Sequence, residues 1–314
     1  MARPPQQDPK RYDVTLPSQA TPRLGVIQRV LVFAHPAKPG VRELLRDLEE
    51  FLRSRVETVL VETDVHAFAL AREAGRGAAP RPDLVIVLGG DGAILGAVRA
   101  FASDPVPTLG INFGRVGFLA STPTGRWREV LQCTFDGRAI VEPRLRIAAE
   151  RRGRGPLARA IALNDVVVHR PSRGPMGTIR LRVGETWVTD YRADGLIVAT
   201  PSGSTAYSLS AGGPILEPSV EAIVVTPICS QGLANRPLVL SAGAELRIEV
   251  TEEDEDPTRI VVDGQSMGDL GPGEVLRLEA HPQRYPLIAM PDLDPYRRLR
   301  DRLGWGGGPN PAGG

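Results

Sequence analysis

The run Leu84-Val85-Ile86-Val87-Leu88, followed at once by Gly89-Gly90-Asp91-Gly92, constrains this chain more than any other stretch. Five apolar residues without period-two alternation read as a strand covered on both faces, the environment of a parallel α/β sheet. Residues 93–99, Ala-Ile-Leu-Gly-Ala-Val-Arg, then read as the start of a helix. Gly89, Gly90 and Gly92 therefore stand at a strand-to-helix junction, where bare backbone N–H groups and a helix N-terminus can receive a phosphate. Asp91 lies in the same turn. A carboxylate beside a phosphate is repelled unless it has other work, such as taking a proton from an attacking hydroxyl or meeting a metal ion. That combination points to phosphoryl transfer. The alternative is a tight βα turn in which Asp91 only caps the helix. Two other phosphate motifs do not fit: counted from Gly90, a dinucleotide fingerprint puts Leu95 where its third glycine belongs, and no Gly-Lys-Ser/Thr occurs. The two lysines, Lys10 and Lys38, follow no glycine-rich turn, so a cationic phosphate clamp is expected from arginine.

At 314 residues the chain can build two domains with cores of their own. Its formal net charge of +1 gives no extended surface for nucleic acid or membrane. No apolar stretch approaches the roughly 20 residues of a membrane span. Cys133 and Cys229, the only cysteines, form neither a disulfide framework nor a metal site, and are expected as two buried thiols of a cytoplasmic protein. His35, His66, His169 and His281 show no metal-ligand spacing, so no protein metal centre is expected.

Residues 1–25, rich in proline and glutamine and without periodicity or a signal-peptide core, read as a disordered arm. From residue 26 to 140 strand and helix signals alternate. Residues 30–34 and 56–61 are strand candidates; Val41, Leu44, Leu45, Leu48, Phe51 and Leu52 keep helical spacing between them. A further strand at 107–112 ends in Asn112, before the glycine-punctuated Phe113-Gly114-Arg115-Val116-Gly117-Phe118-Leu119. This spacing predicts a doubly wound sheet, with ligands beyond the carboxyl ends of the strands, where Asp91 and Asn112 both fall. Residues 141–288 read instead as a β-rich, sandwich-like domain: Ile179, Leu181 and Val183 alternate with arginines, as do Leu246, Ile248 and Val250 with polar residues. The acidic run 252–256 is expected at a solvated hairpin tip. An amphipathic helix at 294–303, stopped by Gly304, is expected to return to the first domain across 289–305, and 306–314 to be a disordered tail.

The β-rich part carries two polar clusters. Asn164-Asp165 interrupts the apolar run Ile161-Ala162-Leu163 and Val166-Val167-Val168, where polar side chains are costly unless bonded. They bond a ligand or close a bulge, and from these residues alone the bulge is slightly favoured. The second cluster runs from Arg192 and Asp194 through Thr200-Pro201-Ser202-Gly203-Ser204-Thr205-Ala206-Tyr207-Ser208-Leu209-Ser210 to Pro214. So many small hydroxyl residues and glycines suit a phosphate or ribose, or else an ordinary serine-rich turn with a helix cap.

Taken together, these segments resemble the NAD kinases, ATP- or polyphosphate-dependent. The likeness rests on Gly89-Gly90-Asp91-Gly92, Gly110-Ile111-Asn112-Phe113-Gly114, Asn164-Asp165, residues 194–214, Asn235-Arg236-Pro237-Leu238-Val239, Asp263-Gly264-Gln265 and Leu299-Arg300-Asp301-Arg302-Leu303-Gly304-Trp305, in the family's order over residues 30–306. It implies phosphorylation of the 2′-hydroxyl of the adenosine ribose of NAD, giving NADP, with Asp91 as proton acceptor. It also implies that Gly92, Asn164, Asp165, Arg192, Asp194, residues 205–210 (Thr205, Ala206, Tyr207, Ser208, Leu209, Ser210) and Gln265 contact NAD. ATP or polyphosphate would be the donor, a divalent ion such as Mg²⁺ would bridge its phosphates with few protein ligands, and the chain would form a homodimer or homotetramer. Asp165 stands where the family more often has glutamate, and Ser230-Gln231 where it has a Pro-His pair. Two other readings share part of the pattern. A lipid kinase of the same superfamily would need an apolar acyl cleft, which the hydroxyl-rich loop argues against; an idle NADP-binding sensor is disfavoured by the intact Asp91.

Overall fold

The computed structural model describes residues 24–35, 37–75, 80–114, 117–153, 157–170, 178–232, 234–251, 258–289 and 295–305. The expected arm, up to residue 23, lies outside the described residues, as do the acidic run 252–256, Arg115, Val116 and the tail 306–314.

The first part of the chain runs β1 (Arg29–Ala34), α1 (Val41–Arg53), β2 (Thr58–Glu62), α2 (Val65–Glu73), β3 (Leu84–Leu88), α3 (Asp91–Ala100), β4 (Thr108–Asn112), β5 (Thr122–Pro123), α4 (Trp127–Phe135) and β6 (Ile140–Arg144). Then follow β7 (Ile147–Arg152), β8 (Ala158–Ala162), β9 (Asp165–His169), β10 (Thr178–Val183), β11 (Thr186–Arg192), β12 (Gly195–Ala199), the short α5 (Tyr207–Ser210), β13 (Ala222–Ile228), β14 (Leu238–Ser241), β15 (Leu246–Val250), β16 (Thr258–Val262), β17 (Gln265–Leu270) and β18 (Val275–Ala280). The last elements are β19 (Tyr285–Ala289) and α6 (Pro295–Leu303).

The first sheet has the order β2-β1-β3-β4-β19-β6, with β5 beside β4. Strands β1 to β4 pair in parallel, and β19 enters parallel to β4 and antiparallel to β6. All five residues of β3 and of β4 are buried, because helices cover both faces. One face packs on α1 and α4, where Phe51 meets Trp127 edge-on. The other packs on α2 and α3. This is the doubly wound arrangement that the unbroken apolar strands predict. Its order reverses between β1 and β3, so the crevice beyond their carboxyl ends is the topological switch point.

Strands β7 to β18 form two antiparallel sheets, β11-β10-β15-β18-β7-β8 and β14-β13-β12-β9-β16-β17, closed over one shared core. The alternating strand β10 has one face in that core. In β9, β12 and β13 the run is continuous because residues from α5 and its flanks cover the outer face as well. The fold is thus an α/β domain followed by a mostly β domain. Arg146, fully buried, ties them: Nη1 donates to the Ala102 carbonyl (2.6 Å) and Nε to that of Gln283 (2.9 Å). Helix α6 returns to the first domain, where Arg298 Nη1 donates to the Phe118 carbonyl at 3.2 Å.

Two expectations need correction. Asn164 does not interrupt a strand; residues 163–164 join β8 to β9, which belong to different sheets. Cys133 is buried, but Cys229 is exposed, because it ends β13 in a turn with a left-handed backbone (φ 48°).

Candidate active site

Gly90 is the residue that caps α3, and Asp91 is the first residue inside it. The Asp91 carboxylate makes no cap bond but turns to the loop after β4. Its Oδ2 accepts the N–H of Phe118 (3.0 Å), and its Oδ1 accepts those of Leu119 (3.1 Å) and Ala120 (2.9 Å). The approach is close enough that a Cβ on Gly117 would overlap Asp91 Oδ1. Asn112 shapes the same loop: its Oδ1 accepts from Gly114 N–H (2.8 Å) and its Nδ2 donates to the Ala120 carbonyl (3.3 Å). The plain helix-cap reading of Asp91 is therefore set aside.

The switch-point crevice has a volume of about 310 Å³ and is bordered by His35, Lys38, Asp64, Gly90 and Gly92. Lys38 Nζ lies 4.0 Å from where a Cβ on Gly89 would project. Sequence reasoning set lysine aside because none follows the glycine turn. The usable signal was position: Lys38 closely follows β1, at the reversal of strand order. Asp64 is committed to the start of α2, where its Oδ1 accepts from the N–H groups of His66 (2.9 Å) and Ala67 (3.0 Å). Phe118 and Leu119 line a second cavity of about 370 Å³ with Ser202, Thr205, Leu216 and Tyr296, a mostly apolar enclosure. Gly92 also borders a third, larger groove of about 1010 Å³ that runs along α3 past Leu95 and Arg99 to Asp263 and Gln265.

The turn at 163–165 is bonded on every backbone group. The Asp263 carboxylate accepts the N–H of Leu163 (2.6 Å), Asn164 (2.8 Å) and Asp165 (3.0 Å). In return, Thr200 Oγ1 donates to the Leu163 carbonyl (2.6 Å), Thr200 N–H to that of Asn164 (2.8 Å) and Asp263 N–H to that of Asp165 (3.0 Å). No N–H of the turn is left for recognition, which falls chiefly to the side chains. The Asn164 carbonyl oxygen Oδ1 is buried and has no partner among the described residues, a costly state that an incoming N–H or O–H donor would relieve. Burial, and then the charge of Asp263 beside it, push Asp165 up to about 7, against one N–H bond from Tyr207. Burial likewise raises Asp263, against its three N–H donors.

The structure brings Asp165 and Tyr207 together at this turn, places Thr205 in the cavity of Phe118 and Leu119, and sets Gly92 and Gln265 along one groove. Ser208 is turned inward, its hydroxyl bonded to that of Thr226 (2.8 Å), while Ala206, Leu209 and Ser210 flank it. Arg192 and Asp194 are exposed at the opposite end of β12, roughly 17 Å away at about 3.3 Å per strand residue. Within one chain they are not part of the same cluster. There, Gln231 N–H donates to the Arg192 carbonyl (2.9 Å). Among the described residues, no helix is long and apolar enough to cross a membrane, and no group of three or more His, Cys, Asp or Glu side chains is placed to hold a metal ion.

Residues 30–139 match the ATP-NAD kinase N-terminal domain and residues 163–290 the ATP-NAD kinase C-terminal domain. The chain is 37% identical over 295 residues to the NAD kinase of Nitrosospira multiformis, covering 91% of this chain and 98% of that one. It is 38% identical over 273 residues to the NAD kinase of Marinobacter nauticus, covering 84% and 92%. Among solved structures, yeast NADH kinase complexed with NADH superposes with a TM-score of 0.78 at 26% identity, covering 91% of this chain and 90% of that one. An NAD kinase from Archaeoglobus fulgidus in complex with ATP gives 0.66 at 25% identity, covering 88% and 98%.

Proposed function

The chain belongs to the NAD kinase family and is a kinase acting on NAD; from that premise we propose that it transfers the terminal phosphoryl group of ATP to the 2′-hydroxyl of the adenosine ribose, with Asp91 as general base. The observation that carries the reading is the position of Asp91. Its carboxylate is fixed by three N–H groups, between the glycine turn that borders the crevice and the loop that lines the apolar cavity. Of the roughly four lone-pair directions of a carboxylate, three are filled, which leaves Oδ2 one to accept a proton. The 2′-oxygen then attacks the terminal phosphorus as the bond to the departing ADP oxygen breaks. Alignment and charge neutralisation supply most of the rate in such a transfer.

The donor triphosphate lies in the switch-point crevice, against the N–H groups of Gly90 and Gly92 and beside Lys38. A polyphosphate chain presents the same terminal group and is the alternative donor. The adenosine half lies toward the cavity of Phe118, Leu119 and Thr205, with Asn164 Oδ1 receiving a donor from it. A divalent ion neutralises the donor phosphates when bound. Asp64 Oδ1 and three of the roughly four lone-pair directions of Asp91 are taken by backbone N–H groups, so phosphate oxygens and water would supply most ligands of such an ion, in keeping with Mg²⁺. Arg192 and Asp194 reach a dinucleotide at the Asn164 end from a second copy, consistent with a homodimer or homotetramer working in the cytoplasm.

The test is NADP formation from NAD, Mg²⁺ and either ATP or polyphosphate, with wild type and Asp91→Asn side by side. Product from wild type alone, with NAD binding retained by the variant, supports the base role; equal turnover in both removes it.

A further inference from the structure

We infer that Asp263 is a positioning residue for the acceptor: by gathering the three backbone N–H groups of residues 163–165, it fixes Asn164 and Asp165 against the dinucleotide. This inference rests on the reading of Asn164 and Asp165 as acceptor contacts. Asp263 is more than an ordinary turn residue. Its backbone is held in the left-handed region (φ 45°), and Gly264 follows it there (φ 78°). A left-handed Asp-Gly pair is the usual two-residue turn of a hairpin such as β16–β17; what sets Asp263 apart is that this turn aims one carboxylate at three amides: Oδ2 takes Leu163, and Oδ1 takes Asn164 and Asp165. The Asp263 N–H closes the ring by donating to the Asp165 carbonyl. Gly203 presses from the opposite side so tightly that a Cβ there would overlap the Asn164 carbonyl. The turn thus has one backbone arrangement, and Asp263 is the group on which three of its donors depend.

The two carboxylates also act on each other. Asp165 is enclosed, with Asp263 as its charged neighbour and the Tyr207 N–H as its donor; Asp263 in turn faces the cationic Arg99 from α3. Burial raises both carboxyls, against the three N–H donors of Asp263 and the one of Asp165, and two enclosed acids side by side titrate as a pair that shares a proton into the neutral range. Whichever protonation state of Asp165 the acceptor uses, removing the charge at Asp263 lets Asp165 lose its proton at lower pH.

Asp263→Asn is nearly isosteric. Its amide oxygen can keep two N–H bonds, while the amide nitrogen opposes the third. Expected are an increase in KM for NAD of about tenfold, a smaller change in kcat, and a neutral-pH limb of kcat/KM moved to lower pH. Asn164→Ala is the companion variant, expected to raise KM for NAD about tenfold with kcat less affected. If Asn164→Ala leaves KM unchanged, the acceptor reading itself fails. If Asn164→Ala raises KM while Asp263→Asn moves neither KM nor the pH limb, the positioning role alone is overturned. Should Asp263→Asn not fold, Asp165→Asn, which keeps all three N–H bonds to Asp263, tests the effect of Asp263 on its neighbour. Loss of the neutral limb supports the coupled pair, and an unchanged limb sinks it.

Discussion

Asp91 and Asp263 each gather three consecutive backbone N–H groups, residues 118–120 in one case and 163–165 in the other, with two bonds on Oδ1 and one on Oδ2. The hydrogen-bond pattern is the same, and the surroundings differ. Asp91 opens a helix, is half-buried, and sits in a glycine turn that borders the switch-point crevice. Asp263 closes a strand-to-strand turn, its carboxylate enclosed and set beside a second acid although the residue as a whole is only half-buried. On the proposed reading of Asp91, anchoring a loop and reacting with a substrate are separable uses of one arrangement. What stands beside the carboxylate, a glycine turn at the crevice or a second acid at the end of the larger groove, rather than the count of donors, distinguishes the two.

The largest effect should come from the charge at Asp91. Asp91→Asn is expected to lower kcat by about 10²–10⁴-fold, the usual worth of a positioned acid or base, while calorimetry finds NAD affinity within a few-fold of wild type. Full turnover in that variant would make the two aspartates equivalent anchors and end the contrast.

Next come the glycines that let each loop approach its carboxylate. Gly117→Ala places a methyl where Asp91 Oδ1 stands, and Gly203→Ala places one on the Asn164 carbonyl. Overpacking of this kind is expected to cost about 1–3 kcal/mol of stability in each. The kinetic signatures should differ. On the proposed reading, Gly117→Ala disturbs the base and lowers kcat about tenfold or more, whereas Gly203→Ala disturbs an acceptor contact and mainly raises KM for NAD. Steady-state kinetics on both, with thermal melts to confirm folding, reads the distinction. The same signature in both variants would mean that the two loops serve one function.

Much of this was legible in the sequence where period and turn chemistry act locally. The unbroken run Leu84–Leu88 and the glycines behind it gave a buried parallel strand and a phosphate-sized turn, because burial on both faces leaves no alternation. The alternation of Ile179, Leu181 and Val183 gave a strand with one wet face for the complementary reason. Non-local pairing was not legible. Nothing near Asp91 in sequence says that residues 118–120 will supply its donors, and Asp263 binds residues about a hundred positions earlier. Asn164, unlike Asp165, lies outside a strand for the same reason: the break at 163–164 exists because β8 and β9 belong to different sheets. Lys38 was passed over because its nearness to Gly89 depends on β1 and β3 lying side by side.

The smallest effect is on stability, and it tests the enclosed side of the comparison directly. Asp165 is held at about 7 in the folded protein, above the 3.8 of an ordinary aspartate. Between those values the folded chain keeps a proton that the unfolded chain has lost. Stability therefore falls as pH rises from about 4 to about 7, and this group adds no further loss above that. Asp165→Asn removes the titration. Its stability relative to wild type, read from melting temperatures, should rise progressively from pH 4 to pH 7 and then level, with a total gain that the shift limits to about 4 kcal/mol. The absolute offset depends on how well the amide is bonded, so the informative quantity is the slope across the window. A difference independent of pH would mean that Asp165 is ionised throughout, and that Asp263 anchors its turn without acting on its neighbour's proton.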